Sequence, residues 1–249
     1  MYSEVRSKSN GAAAFIAVAS LLMGTTTSAA PYRPAGDDVV LERLPPALLA
    51  TRSLRAGRES APVDLDQALA SAQRYIEVGQ TYSDPRAFGY AQTALGSWWT
   101  TGKGATPELH ATRARIYQFR HQFPEALAEL KAALDADAFQ PDAWLQFASI
   151  EQVRGNLDSA RAGCLKLVPI ADPLIGATCV AATGSLAGRS ASADQLLTRA
   201  MTQPSAADDR VRAWAWTTLA EIRARRSDAP GAEFAFLKAL ELEPDDVYA

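Results

Sequence analysis

Cysteine and histidine are nearly absent from this chain of 249 residues, which has two of each. That is too few for the usual multi-ligand zinc sites unless carboxylates complete them, and one cysteine pair is no disulfide framework. Basic charge is not in surplus either. Lys plus Arg number 25 against 28 Asp plus Glu, a formal net charge of −3, so nothing neutralises a phosphate backbone and nucleic acid is not an expected partner. Long apolar runs are missing as well: the longest, Gly11 to Gly24, falls short of the roughly 20 residues that a membrane-spanning helix needs. What is present is 48% apolar and 21% charged residues, the composition of a folded soluble protein, which excludes disorder and collagen-like structure.

The first thirty residues divide into three zones. Arg6 and Lys8 precede the apolar run, which ends in the small polar stretch Thr25 to Ala30 before Pro31. This is the layout of a secretory signal peptide. Cleavage after Ala29 places Thr27 and Ala29 in the small-residue slots, so a signal segment over 1–29 is expected, with the mature chain exported to the periplasm or outside the cell. No cysteine follows the run, so no lipid-modified N-terminus is expected. Residues 30–63 form a separate arm broken by Pro31, Pro34, Pro45, Pro46 and Pro62, within which only Ala47 to Ala56 has the makings of a short helix.

From Asp64 to the end, the domain 64–249 is rich in Ala and Leu. It lacks alternating β-branched runs and is cut into pieces of helical length by Gly, Pro, Asn and Asp. One pattern repeats. Ala232, Phe236, Ala239 and Leu240 stand at i, i+4, i+7 and i+8, a single helix face on which small residues admit a close neighbour and large ones fill the groove beside it. The same face recurs as Ala193, Leu197, Ala200, Met201; as Ala160, Cys164, Leu167, Val168; as Ala126, Leu130, Ala133, Leu134; and more weakly as Ala87, Ala91, Ala94, Leu95. The leading alanines are 39, 34, 33 and 39 residues apart. The long steps coincide with breaker-rich insertions, Thr100 to Pro107 and Gln203 to Asp209. Helix starts are marked by Asp84-Pro85, Phe123-Pro124 and Asp228-Ala229-Pro230.

With Trp216, Leu219 and Ala220 ahead of Ala232, Phe236, Ala239, Leu240 and Pro244, the last unit resembles a tetratricopeptide repeat, and Trp144, Phe147 and Ala148 open the third unit in the same way. The second unit departs from the pattern, offering His110, Arg113 and Ala114 where bulk, Leu and a small residue belong. The resemblance implies an all-α solenoid of about five helix-turn-helix repeats, with ten helices or more and no sheet. Separately, Val40 to Pro45, the run Asp84 to Gln92 with Trp98-Trp99, and Pro244 to Tyr248 are similar to a group of exported proteobacterial repeat proteins of unassigned activity. That likeness implies a scaffold and transfers no catalytic residue.

No reaction chemistry stands out. Gly102 to Thr106 is no phosphate loop, because Ser97 stands where the first Gly belongs and Lys103 is followed by Gly104. His110 and His121 would lie roughly 16 Å apart even on one helix, too far to share a metal. Nothing near Ser185 suggests a nucleophile on a strained turn. Asp135 with Asp137, Asp208-Asp209 and Asp245-Asp246 read as capping or solvated carboxylates. No catalytic residue, metal or cofactor is assigned.

What remains is surface. In such arrays the first helices line a concave groove that receives a protein segment, and the resemblance places Arg115, Gln118, Gln146, Ser149, Gln152, Trp214, Glu221 and Arg225 there. The expected function is therefore a non-enzymatic scaffold for a protein or peptide partner, with Trp214 as anchor. The alternatives are an accessory or assembly subunit of a membrane-associated complex and, third, a hydrolase. In this architecture Cys164 and Cys179 fall on packed neighbouring helices, so in an oxidising compartment they either bridge or remain two small buried thiols. The last helix carries Phe234, Phe236, Leu237, Leu240 and Leu242, more apolar surface than one helix pair hides. At least two of Phe234, Leu237 and Leu242 are expected to be exposed, either for self-association or docking, or because the chain is a piece of a longer protein.

Overall fold

The computed structural model describes residues 33–36, 38–40, 64–100, 102 and 104–244. The signal segment 1–29, the Ala47 to Ala56 helix and the end beyond Pro244 lie outside the described residues. Residues 33–36 and 38–40 contain no helix or strand and share one backbone hydrogen bond, Val39 N–H to Gly36 O at 3.3 Å.

The rest is helical. Among the described residues there are ten α-helices and no strand: α1 Leu65–Thr81, α2 Pro85–Leu95, α3 Pro107–Phe119, α4 Phe123–Ala136, α5 Pro141–Val153, α6 Leu157–Leu167, α7 Pro173–Leu186, α8 Ser190–Met201, α9 Asp209–Arg225 and α10 Ala229–Leu242. A short 3-10 turn, Gly96–Trp99, follows α2. Odd and even helices pair as five antiparallel hairpins, and each hairpin stacks on the next. This is the α-solenoid of five helix-turn-helix units that the spacing predicts.

Local chemistry fixes the helix ends. The carboxylates of Asp84, Asp172, Asp208 and Asp228 accept from backbone N–H groups of the first turns of α2, α7, α9 and α10, and the Thr106 hydroxyl does so for α3. Proline within the first turn of α2, α3, α4, α5, α7 and α10 removes a donor that would have been unpaired. Inside each hairpin the chain turns through one left-handed residue: Ser83, His121, Gly155, Gly188 and Ser227, at φ between 49° and 80°.

The repeated alanines do what their spacing requires. Ala87, Ala126, Ala160, Ala193 and Ala232 are all buried, as are Leu130, Leu167 and Leu197 one or two turns on. Gly79 and Gly163 are sites of closest approach. A methyl at Gly163 would stand 2.9 Å from Phe147 Cδ1, and one at Gly79 would stand 2.8 Å from Phe88 Cζ.

The irregular second unit has a physical explanation. Arg113 is almost fully buried, yet its Nη2 donates to the Trp98 carbonyl of the 3-10 turn and its Nη1 lies 3.6 Å from Glu129 Oε1 on α4. The other Glu129 oxygen sits 2.5 Å from His110 Nδ1. One carboxylate on the second helix thus ties down both residues that break the pattern on the first, and the 3-10 turn after α2 supplies the remaining acceptor.

Candidate binding groove

Side chains at one helical face of α5, namely Leu145, Ser149 and Gln152, share a chamber of about 490 Å3 with Cys179 and Ala182 of α7. The face Arg210, Trp214, Thr217, Glu221 of α9 completes its wall. Gln80 and Thr81, the last turn of α1, and Glu243 at the end of α10 close it from elsewhere in the array. Arg210 Nη1 also lies 3.9 Å from Glu77 Oε1, joining the first and ninth helices across the opening. A second hollow of about 330 Å3 lies among α1, α3 and the start of α5, lined by Gln73, Thr112, Arg115 and Asp142.

Polar side chains link successive first helices along this surface. Gln118 Nε2 donates to Ser149 Oγ at 3.4 Å, and Gln152 Nε2 donates to Thr183 Oγ1 at 2.7 Å, each bond spanning 31 residues. Behind them, Cys164 of α6 and Cys179 of α7 are joined as a disulfide with Cα atoms 5.4 Å apart. Trp214, half-buried, packs against the cluster of Ala148, Leu167 and this cystine. Loss of hydration holds the Arg115 guanidinium below its ordinary pKa; the Asp142 carboxylate acts against that shift and the nearby positive charge of Arg210 adds to it.

Of the eight residues expected in the groove, Ser149, Gln152, Trp214 and Glu221 do line one chamber. Arg115 lines the neighbouring hollow instead. Gln118 is engaged with Ser149, and Arg225 pairs with Glu221 at 3.3 Å without joining the wall. Gln146 must be corrected. It is only 7% exposed and both of its amide atoms are enclosed without a hydrogen-bond partner. One residue past Leu145, it is rotated by about 100° around α5, out of the face that lines the chamber. Arg210 shares the α9 face of Trp214, one turn before it, whereas Gln80, Thr81 and Glu243 reach the chamber from the two ends of the array. Among the described residues no three His, Cys, Asp or Glu side chains gather in a group able to hold a metal ion.

This architecture is the tetratricopeptide fold. A tetratricopeptide repeat protein of Parabacteroides merdae superposes with a TM-score of 0.57 at 18% identity, over 78% of this chain and 70% of that one. Tetratricopeptide-like repeats of a putative kinesin light chain from Podosopora anserina give 0.46 at 17% identity, over 77% of this chain and all of that one. The C-terminal part of a repeat protein from Cytophaga hutchinsonii gives 0.44 at 15%, over 78% and 72%. No family model matches the sequence. No curated protein matches it either.

Proposed function

We propose that this protein is an exported, non-enzymatic scaffold that captures a segment of a partner protein in the groove formed by α5, α7 and α9. The observation that carries this reading is the chamber itself. It has a volume in the range of specific ligand pockets, with a half-buried tryptophan on one wall and, beside it, a Thr217 hydroxyl that has no hydrogen-bond partner among the described residues. Export rests on the three-zone N-terminus, and a cystine between α6 and α7 suits an oxidising compartment.

The test is site-specific photocrosslinking. A benzophenone side chain replacing Ser149 should trap a defined partner in the exported fraction, Trp214→Ala should abolish that adduct, and the same probe at exposed Arg161 on α6 should trap nothing. Adducts that form equally from Arg161, or that survive Trp214→Ala, refute capture in the groove. N-terminal sequencing of the exported protein should begin at Ala30; an intact Met1 would refute signal removal.

An assembly role has one observation in its favour. Phe234 and Leu237 on α10 are 52% and 55% exposed, and beside them Ala232, Phe236 and Leu240 line an open apolar hollow. Leu242 is half-buried. If that face joins copies or docks a complex, Leu237→Glu should lower the sedimenting mass and leave the melting temperature unchanged.

A further inference from the structure

The second hollow, among α1, α3 and the start of α5, is lined by two opposite charges that do not meet. Glu108, Thr112 and Arg115 stand at i, i+4 and i+7 on α3 and so share one face of it, and Gln140 and Asp142 approach from the start of α5. Most of these polar groups are spent. The Glu108 carboxylate accepts from Gln140 Nε2 at 3.4 Å, and from the Thr106 hydroxyl and its own backbone N–H at the start of α3. Thr112 Oγ1 donates to the Glu108 carbonyl at 2.8 Å, and Gln140 Nε2 also donates to Asp137 Oδ2 at 3.0 Å. Arg115 and Asp142 differ: neither side chain makes a hydrogen bond or ion pair among the described residues.

An unpaired Arg115 is costly where it stands. The residue is half-buried, so water reaches it only in part, and a guanidinium presents five donors and no acceptor. Asp142 lies in the first turn of α5, where the helix N-terminus favours an ionised carboxylate. It is near enough to attract Arg115, yet the two do not close on each other. Both therefore face the same open space of about 330 Å3.

Charge and size select the occupant. A lone anion satisfies Arg115 but is opposed by Asp142, and a lone cation is opposed by Arg115. A molecule with both charges satisfies both. The volume is at the small end of the range for ligand sites, so the two charges belong on one compact molecule. Leu69 and Ala70 of α1 and Ala111 of α3 give the hollow an apolar wall. We propose that this hollow binds a free α-amino acid with an apolar side chain, its carboxylate on Arg115, its ammonium on Asp142 and its side chain against Leu69, Ala70 and Ala111. The site is separate from the groove of α5, α7 and α9, and neither reading depends on the other.

The experiment is calorimetric titration of the mature chain near pH 7 with L-alanine, L-valine and L-leucine, and with the N-acetylated and the amidated form of each. At least one free amino acid is expected to bind with Kd below about 1 mM. Capping its amine or its carboxylate should weaken it at least about tenfold, because one charge-assisted contact is lost. Arg115→Gln should erase the preference over the amide and Asp142→Asn the preference over the acetylated form, both with unchanged circular dichroism. Trp214→Ala should leave the affinity as it is. An acetylated amino acid that binds as tightly as the free one would make the hollow a bare carboxylate site, of the kind a peptide C-terminus occupies, and would overturn the proposal. So would an amide that binds equally, or the absence of heat from all three free amino acids at millimolar concentration. Loss of binding in Trp214→Ala would place the ligand in the groove and overturn it as well.

Discussion

Gln152 on α5 donates its amide to the Thr183 hydroxyl on α7 at 2.7 Å, and that hydroxyl donates in turn to the Cys179 carbonyl at 2.9 Å and lies 3.4 Å from Cys164 Sγ. A wall residue of the groove is thereby fixed to the cystine behind it. Thr183 is fully buried, so Thr183→Val should strand the Gln152 amide and cost about 1–2 kcal/mol in urea denaturation. In the double-mutant cycle with Gln152→Ala the two residues should couple by at least about 0.5 kcal/mol. Strict additivity would show that the bond contributes nothing.

The disulfide between Cys164 and Cys179 closes a loop of 15 residues. On the chain-entropy model a loop of that size is worth about 3 kcal/mol. Urea midpoints measured with and without dithiothreitol should differ accordingly, and the double replacement Cys164→Ala, Cys179→Ala should reproduce the reduced protein and lose its response to the reductant. An oxidised protein whose midpoint ignores the reductant would contradict this.

The repeat was readable because its information is local. Ala126, Ala160, Ala193 and Ala232 mark helix faces by spacing alone, and proline and aspartate mark the starts. Arg113 looked like a defect in sequence because its partners, Glu129 and the Trp98 carbonyl, are 15 or more residues away and only the fold brings them together. The groove was half legible for the same reason. Ser149, Gln152, Trp214 and Glu221 follow from position within a unit, as does Arg210 one turn before Trp214, whereas Gln80 and Thr81 depend on how far the array curls, and small rotations between units leave no pattern in the chain. Gln146 stands next to the wall residue Leu145, but adjacent residues on a helix differ by about 100°, and that one step turns its side chain inward.

Each hairpin turns through one left-handed residue, yet only two of the five are glycine. Left-handed backbone costs a residue with a Cβ roughly 1–2 kcal/mol. Gly155→Ala, at φ +78° with open space around its Cα, should therefore lower stability by about 1–2 kcal/mol through strain alone. His121→Gly, at φ +57° on an exposed turn, should be neutral or raise stability by up to about 1 kcal/mol, the relief of strain being partly offset by the freer unfolded chain. Thermal melts of both variants decide the matter. A destabilised His121→Gly would mean that its edge-on contact with Phe123, centroids 5.6 Å apart, matters more than the backbone.

Asp172 joins two parts of the array that adjoin only in space. Its carboxylate caps α7 by accepting from Leu174 N–H at 2.8 Å, and it also takes Ser205 Oγ at 2.8 Å and Ala206 N–H at 3.0 Å from the insertion before α9. Partial burial alone would raise its pKa, but these three donors and the positive charge of Arg212 together hold it below the ordinary value. A carboxyl whose folded pKa is depressed stabilises the protein fully above its unfolded pKa of about 3.9, and that contribution fades as pH falls through the lower folded value. Asp172→Ala should thus cost about 1 kcal/mol, the usual worth of a helix cap, at any pH above about 5. The difference in urea midpoint between wild type and variant should stay constant from neutral pH down to about 5, narrow below about 4, and vanish once the wild-type carboxyl is protonated. Because Asp172 anchors the segment leading into α9, the variant should also show faster amide exchange at Ala206 and Ala207 at neutral pH, with α3 and α4 unaffected. A midpoint difference that persists undiminished in strong acid would mean that packing of the loop, and not the ionised carboxylate, holds α9 in place against α7.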